Sequence, residues 1–340
     1  MRDVIGQRRL LDRLSAQALR GDVAHAYGLS GPRSIGKRTV ALRLAQTLNC
    51  ETEPRVAGGC GHCRACLLIE RGAHPDVLEV TRTEDRRDIA IEQIRGLQQD
   101  LSLRPLEGRR RVAIVDDAAD LSEHAEVALL KTLEEPPKHA VLLLLTPSPE
   151  HLLETIRSRI QPLPFRLVPA REIESGLERR FGKSAARYAA AAAGRPGLAI
   201  RLASDDAARR ERSAVEAEFF KLVGSGLTDR FAWAADLADD TDARRRTIGI
   251  QMRMVHWGEL LRDAALAARG VTERPMRPER AAEATRLAAS ANVSAADLLD
   301  AALLTERLRR DAGEWNANAR ALLELFALKL PYSAELRSAA

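Results

Sequence analysis

Residues 31–38 read Gly-Pro-Arg-Ser-Ile-Gly-Lys-Arg, a glycine-framed loop of the kind whose backbone N–H groups cradle phosphates, with a lysine reaching the β- and γ-phosphates. Gly31, Gly36 and Lys37 fill their places. The last position departs from the pattern. A complete loop carries Ser or Thr there, because that hydroxyl holds the magnesium bridging the phosphates, and this chain has Arg38. Thr39 comes one residue late, and one step along a helix turns a side chain by roughly 100°. A cation at a magnesium position removes a ligand and also opposes the metal. The loop therefore reads as one that binds ATP or ADP weakly or not at all, with Mg²⁺ disfavoured.

A second constellation is Arg110 to Asp117, an apolar strand that delivers Asp116 and Asp117 at its end. Downstream of a phosphate loop, the first acid holds magnesium directly or through water, and a following glutamate commonly activates the attacking water. Asp117 is one methylene shorter, and a base retracted by roughly an ångström loses rate steeply because near-attack geometry is tight. The third constellation is Cys50, Cys60, Cys63 and Cys66, spaced C-x9-C-x2-C-x2-C. Clustering this tight points to a closed, tetrahedral, structural zinc site in preference to disulfides. His62, between ligands, reads as an exposed loop residue.

The elements that must hold these residues follow from periodicity. Leu10, Leu11, Leu14 and Leu19 give an amphipathic helix, Ala24 to Leu29 a strand feeding the loop, and Arg38 to Leu48 the helix behind it. Strands are expected at Val77–Val80, Val112–Val115 and Val141–Leu145, with helices at Ile91–Leu101 and up to Leu133, before Pro136-Pro137. Apolar strands alternating with helices mean an α/β parallel sheet covered on both faces. Beyond Phe165 the strand signal fades. Short helices are expected around Gly194 to Gly197, the alanine-rich Ala185 to Ala193 reads as plain helix former, and Asp206 to Leu330 is almost wholly helical in pattern. Boundaries are expected near 166 and 207. Trp233, Trp257 and Trp315 read as core or interface anchors.

A formal charge of +5 from 53 basic and 48 acidic residues does not by itself demand nucleic acid. The charged start Met1-Arg2-Asp3 and the brevity of the apolar run Val141–Leu145 point away from a secretory signal or a membrane span, so a cytoplasmic protein is expected.

Ile5-Gly6-Gln7, His25-Ala26-Tyr27, the loop with its four-cysteine insert, His74-Pro75-Asp76, Ile94-Arg95, Leu129 to Pro137 (LLKTLEEPP), Thr155 to Arg159 (TIRSR) and Asn316-Ala317-Asn318 together resemble the AAA+ subunits of the bacterial DNA polymerase III clamp loader. Of the two related types, delta prime is the better match and gamma/tau the alternative. Arg38, Asp117 in place of glutamate, and Gly197 where gamma-type chains carry a nucleotide-sensing arginine favour the former. Arg195 or Arg201 would have to replace that sensor from another face.

The resemblance implies an AAA+ domain over 1–165 with its zinc insert at 50–66, a helical lid over 166–207, and a helical collar for oligomerisation over 208–340. It also implies a hetero-pentamer with gamma/tau and delta subunits, which uses ATP to load the sliding clamp on primed DNA. In that assembly delta prime is a stator, and its Arg159 is the arginine finger offered in trans to a neighbour's ATPase site. Ile160 stands where the family usually has cysteine, and Val127 where relatives have asparagine. Thr146 occupies the place of a γ-phosphate sensor. On the gamma/tau alternative, Lys37 would bind phosphate, Asp116 would hold magnesium through water and Asp117 would act as a weakened base.

Overall fold

An apolar run without polar alternation has to be covered on both faces, and three such runs form the middle of one sheet. The computed structural model describes residues 4–83, 86, 88–241, 243–272, 277–311 and 319–339. Met1–Asp3, Trp315 and Asn316–Asn318 lie outside them. The chain divides into two compact units, Met1–Ala186 with Gly194–Ile200, and Arg187–Ala193 with Arg201–Ala340.

The first unit runs α1 (Arg8–Arg20), β1 (Ala26–Ser30), α2 (Lys37–Asn49), α3 (Arg64–Glu70), β2 (Val77–Val80), α4 (Ile91–Ser102), β3 (Arg111–Val115), α5 (Glu123–Glu134), β4 (Ala140–Thr146), α6 (Glu154–Arg157), β5 (Gln161–Pro164) and α7 (Ala170–Phe181). The sheet is parallel throughout, in the order β2-β3-β4-β1-β5. The carboxyl ends of β1 and β3 therefore flank the end of β4, roughly 5 Å from it on either side. This edge is where open α/β sheets take ligands. One face is covered by α4 and α5, whose Ile94, Leu97, Leu129 and Leu133 pack on Ala113, Val115, Leu142 and Leu144. Ser122 starts α5 by accepting a hydrogen bond from the Ala125 N–H at 3.3 Å, and the helix ends before Pro136-Pro137 because proline cannot continue it.

Two expectations need correction. β5 was not foreseen, because Pro162 and Pro164 read as breakers; at the sheet edge a missing N–H costs no ladder bond, and β5 pairs only with β1. The alanine run is not one helix. It is a 3-10 turn, Lys183–Arg187, and a single α turn, α8 (Tyr188–Ala191), broken where Ala193 takes φ 47°. Propensity yields here to the chain reversal that leads into α9 (Pro196–Ser204).

The second unit holds α10 (Asp206–Val223), α11 (Leu227–Ala238), α12 (Ala243–Ala267), α13 (Ala281–Ala289), α14 (Ala295–Asp311) and α15 (Ala319–Lys329). Trp257 is fully buried among Trp233, Phe219 and Phe326, with ring centroids 5.1 to 5.8 Å away, and its Nε1 donates to the Val215 carbonyl. Buried Arg230 donates to the carbonyls of Leu222, Val223, Ala327, Leu330 and Pro331. One guanidinium thus satisfies orphan acceptors at the ends of both α10 and α15. No helix among the described residues is long and apolar enough to cross a membrane.

Candidate nucleotide and metal sites

The phosphate loop leaves β1 with its first N–H tied down: Gly31 N donates to the Thr146 carbonyl at 3.1 Å. Gly31 takes φ 150°, and a Cβ there would lie 2.9 Å from the Phe165 carbonyl oxygen. Gly36, at φ 104°, turns the chain into α2. A cleft of about 300 Å³ opens here, lined by the loop, Thr39, Asp116, Asp117 and Gly197. Gly36, Arg38, Thr39 and Gly197 are shared with a neighbouring hollow of about 320 Å³, whose walls include Val4, Ile5, Leu42, Pro196 and Ile200. A chamber bounded by the loop and two aspartates, beside one whose walls add aliphatic side chains to Arg43, Glu70 and Arg180, offers room for the phosphates and the base of a nucleotide.

The charges around the loop are compensated within the chain. Lys37, 7% exposed, donates to the Gly31 and Pro32 carbonyls at 2.5 and 3.2 Å. Burial pulls its pKa down, while Asp117 and Asp116 push it up. Arg38 forks onto Glu79 with contacts of 2.7 to 3.0 Å. Its charge is thus neutralised by a carboxylate on β2. Arg33 pairs with Asp117 at 2.8 Å, and Asp117 sits in the left-handed region at φ 56°. Burial, then the neighbouring Asp117, raise the pKa of Asp116, with Arg38 and Lys37 pulling against them. These residues do not fit a magnesium site of the usual kind. The hydroxyl is gone, its replacement is paired, and the second acid is held by an arginine.

Thr146 is buried, but its hydroxyl donates to the Ser148 carbonyl at 2.7 Å and is spent on that turn. It does not line the phosphate cleft. Gly197 does, and closely: its N–H donates to the Ser34 carbonyl at 2.8 Å, and a Cβ would lie 2.8 Å from the same oxygen. No side chain fits there without a shift. Arg201 pairs with Glu211 at 3.3 Å. Arg159 is outside the cleft. It follows the single turn α6, donates to the Thr155 carbonyl at 2.9 Å, and pairs with Glu134 at 2.9 Å with its side chain 36% exposed.

The four cysteines come together, their sulfurs all within 4.8 Å of one another and none in a disulfide. Zn–S bonds of about 2.3 Å in a tetrahedron need sulfurs roughly 3.8 Å apart, and Cys60 and Cys66 stand at 3.9 Å. Cys63 N and Cys66 N each donate to the sulfur three residues back, at 3.2 and 3.4 Å. Gly59 is required where it stands, since at φ 75° a Cβ would lie 2.9 Å from the Cys66 sulfur. The donor set and its spacing fit zinc. His62 is exposed and outside the cluster.

Sequence reasoning missed how this module joins the phosphate loop. Gln46 on α2 donates to the Cys66 carbonyl at 2.8 Å, and Thr47 accepts from Gly58 N at 2.9 Å. The helix that begins at Lys37 is thus fastened at its far end to the cysteine cluster. Glu79 was also missed, although a lone charge in the otherwise apolar run Val77–Val80 was its signal.

A family model described as DNA polymerase III, delta subunit, matches residues 6–169. The DNA polymerase III subunit gamma/tau of Mycobacterium tuberculosis is 37% identical over 177 residues, covering 52% of this chain and 30% of that protein. Subunit delta' of Pseudomonas aeruginosa is 41% identical over 140 residues, covering 41% of this chain and 42% of that protein. The chain thus spans less than half the length of these relatives. Among solved structures, a gamma subunit-related protein of Thermotoga maritima aligns over 96% of this chain and 99% of its own at 18% identity, with a TM-score of 0.45.

Proposed function

Residues 6–169 belong to the AAA+ clamp-loader family of DNA polymerase III subunits, and from that premise we propose that the chain is a delta prime-type subunit, a stator that does not turn over ATP itself and lends Arg159 to a neighbour. The observation that carries this reading is the internal pairing at the loop. Lys37 rests on loop carbonyls, Arg38 on Glu79 and Arg33 on Asp117, so the metal-hydroxyl position carries a paired cation and the acid that would activate water is engaged, leaving Asp116 alone at the cleft. Nucleotide binding without metal-dependent hydrolysis is compatible with that arrangement.

Arg159 suits the opposite role. It stands clear of its own cleft, and its partner Glu134 is 54% exposed. An exposed ion pair contributes about 1 kcal/mol or less, so the guanidinium can exchange Glu134 for a neighbour's γ-phosphate at little cost. There it would offset charge as the phosphoryl group transfers. In this reading the cysteine cluster holds a structural zinc, 166–207 serves as lid and 208–340 as collar. Gamma/tau and delta subunits complete the cytoplasmic pentamer, and the sliding clamp and primed DNA are met through it.

A second reading, a gamma/tau-type motor, is favoured by the intact Gly31, Gly36 and Lys37 and the two adjoining hollows. Reconstitution with gamma/tau and delta separates the two. Arg159→Ala is expected to assemble normally and to lower turnover at the one neighbouring site it serves by about 10³-fold or more, read as loss of that site's share of clamp-loader ATPase. Unchanged turnover in an intact complex would remove Arg159 from the chemistry.

A further inference from the structure

A cleft of about 900 Å³ in the first unit, formed by the start of α1, the end of β5 and the face of α7, is lined by Arg8, Arg9, Arg166, Arg171 and Arg179. Two acids, Asp12 and Glu172, also line it, leaving an excess of three positive charges. Elsewhere on this unit Arg33, Arg38, Arg64, Arg109 and Arg159 each have a carboxylate partner, while, among the described residues, exposed Arg13, Arg71 and Arg95 have none but line no shared cleft with one another. Among the described residues none of the five cleft guanidiniums has one, and all five residues are exposed. A long-range anchor is on the backbone, where Gln7 Nε2 donates to the Arg166 carbonyl at 2.5 Å. Like charges gathered in excess of their counter-charge repel one another, a cost that a bound polyanion reverses.

We propose that this arginine cleft is a binding surface for the phosphate backbone of a nucleic-acid strand, sharing no residue with the phosphate cleft and only Val4 and Ile5 with the hollow beside it. Guanidinium forks match phosphate oxygens in pairs, and a cleft roughly 10 Å across admits two or three successive phosphates. No aromatic side chain lines it, so there is no platform for stacking bases. The contact is therefore to backbone and blind to sequence. The relatives over this region are DNA polymerase III subunits, which puts nucleic acid ahead of an acidic peptide as the polyanion. The proposal does not depend on which clamp-loader role the chain plays.

The test is fluorescence anisotropy of a labelled oligonucleotide, single-stranded and duplex, titrated with the full chain across a range of salt concentrations. The triple variant Arg166→Ser, Arg171→Ser, Arg179→Ser is expected to bind more weakly, with the slope of log K against log salt reduced by about two, at an unchanged melting temperature. The control Arg210→Ser, Arg286→Ser, Arg307→Ser removes the same charge from exposed sites on the second unit and is expected to leave affinity close to wild type. If the first variant misfolds, Arg8→Ser with Arg9→Ser reads the same cleft. Equal losses in cleft and control variants, or no loss in either, would overturn the proposal. So would polyglutamate that competes as well as oligonucleotide of equal charge, since the occupant would then be an acidic peptide.

Discussion

Lys37 and Arg38 are neighbours in sequence and opposites in setting. The lysine is buried against its own loop, and the arginine, half exposed, is held 41 residues away in sequence by Glu79. The motif was legible in the sequence because its spacing is local. The pairing was not, because nothing local links positions 38 and 79. Asp76 shows the same limit: it was quoted only as part of a family motif, yet it is fully buried and accepts the N–H groups of Leu106, Glu107 and Gly108 at 2.7 to 2.9 Å. Burial works against its charge, but those three donors and Arg111 prevail and hold its pKa below the ordinary 3.8. A carboxylate depressed in the folded state contributes stability in full above its unfolded value and loses it as pH falls through the folded one. Asp76→Asn is therefore expected to cost about 2–3 kcal/mol at neutral pH. In denaturant titrations the gap between wild type and variant should hold down to about pH 4 and narrow below it. A gap that widens in acid would contradict this account of Asp76.

At the scale of elements, the strands read as continuous apolar runs were found where their composition placed them, because burial on both faces leaves no other pattern. The misses share a cause, since β5 and the broken alanine run are decided by position in the fold and not by local preference. The cysteine module was legible as ligands and illegible as a brace. Its carbonyls and amides clasp Gln46 and Thr47 at the far end of the helix that begins at Lys37. Loss of metal should therefore be felt in α2. Purified protein is expected to carry one zinc per chain. Cys66→Ser should abolish that zinc and lower the melting temperature, because Cys66 is fully buried beneath Gly59 and Gln46. Metal content unchanged in that variant would contradict the assignment.

At the scale of the molecule, two units divide the labour. The first carries the phosphate loop, Asp116 and Asp117, Arg159, the cysteine cluster and all three hollows. The second is built around Trp257 and the Arg230 clasp, and of the candidate nucleotide contacts read from the sequence it holds Arg201, which is paired with Glu211. That asymmetry suits a subunit whose helical part serves assembly while its sheet part meets a neighbour's nucleotide. The central claim is that the phosphate loop does not run a cycle of its own. Steady-state ATP hydrolysis by the isolated chain with Mg²⁺, set beside Lys37→Ala, tests it most directly. The account predicts that the two are indistinguishable from background. Magnesium-dependent turnover by the wild type, abolished in Lys37→Ala, would make the chain a motor and contradict it.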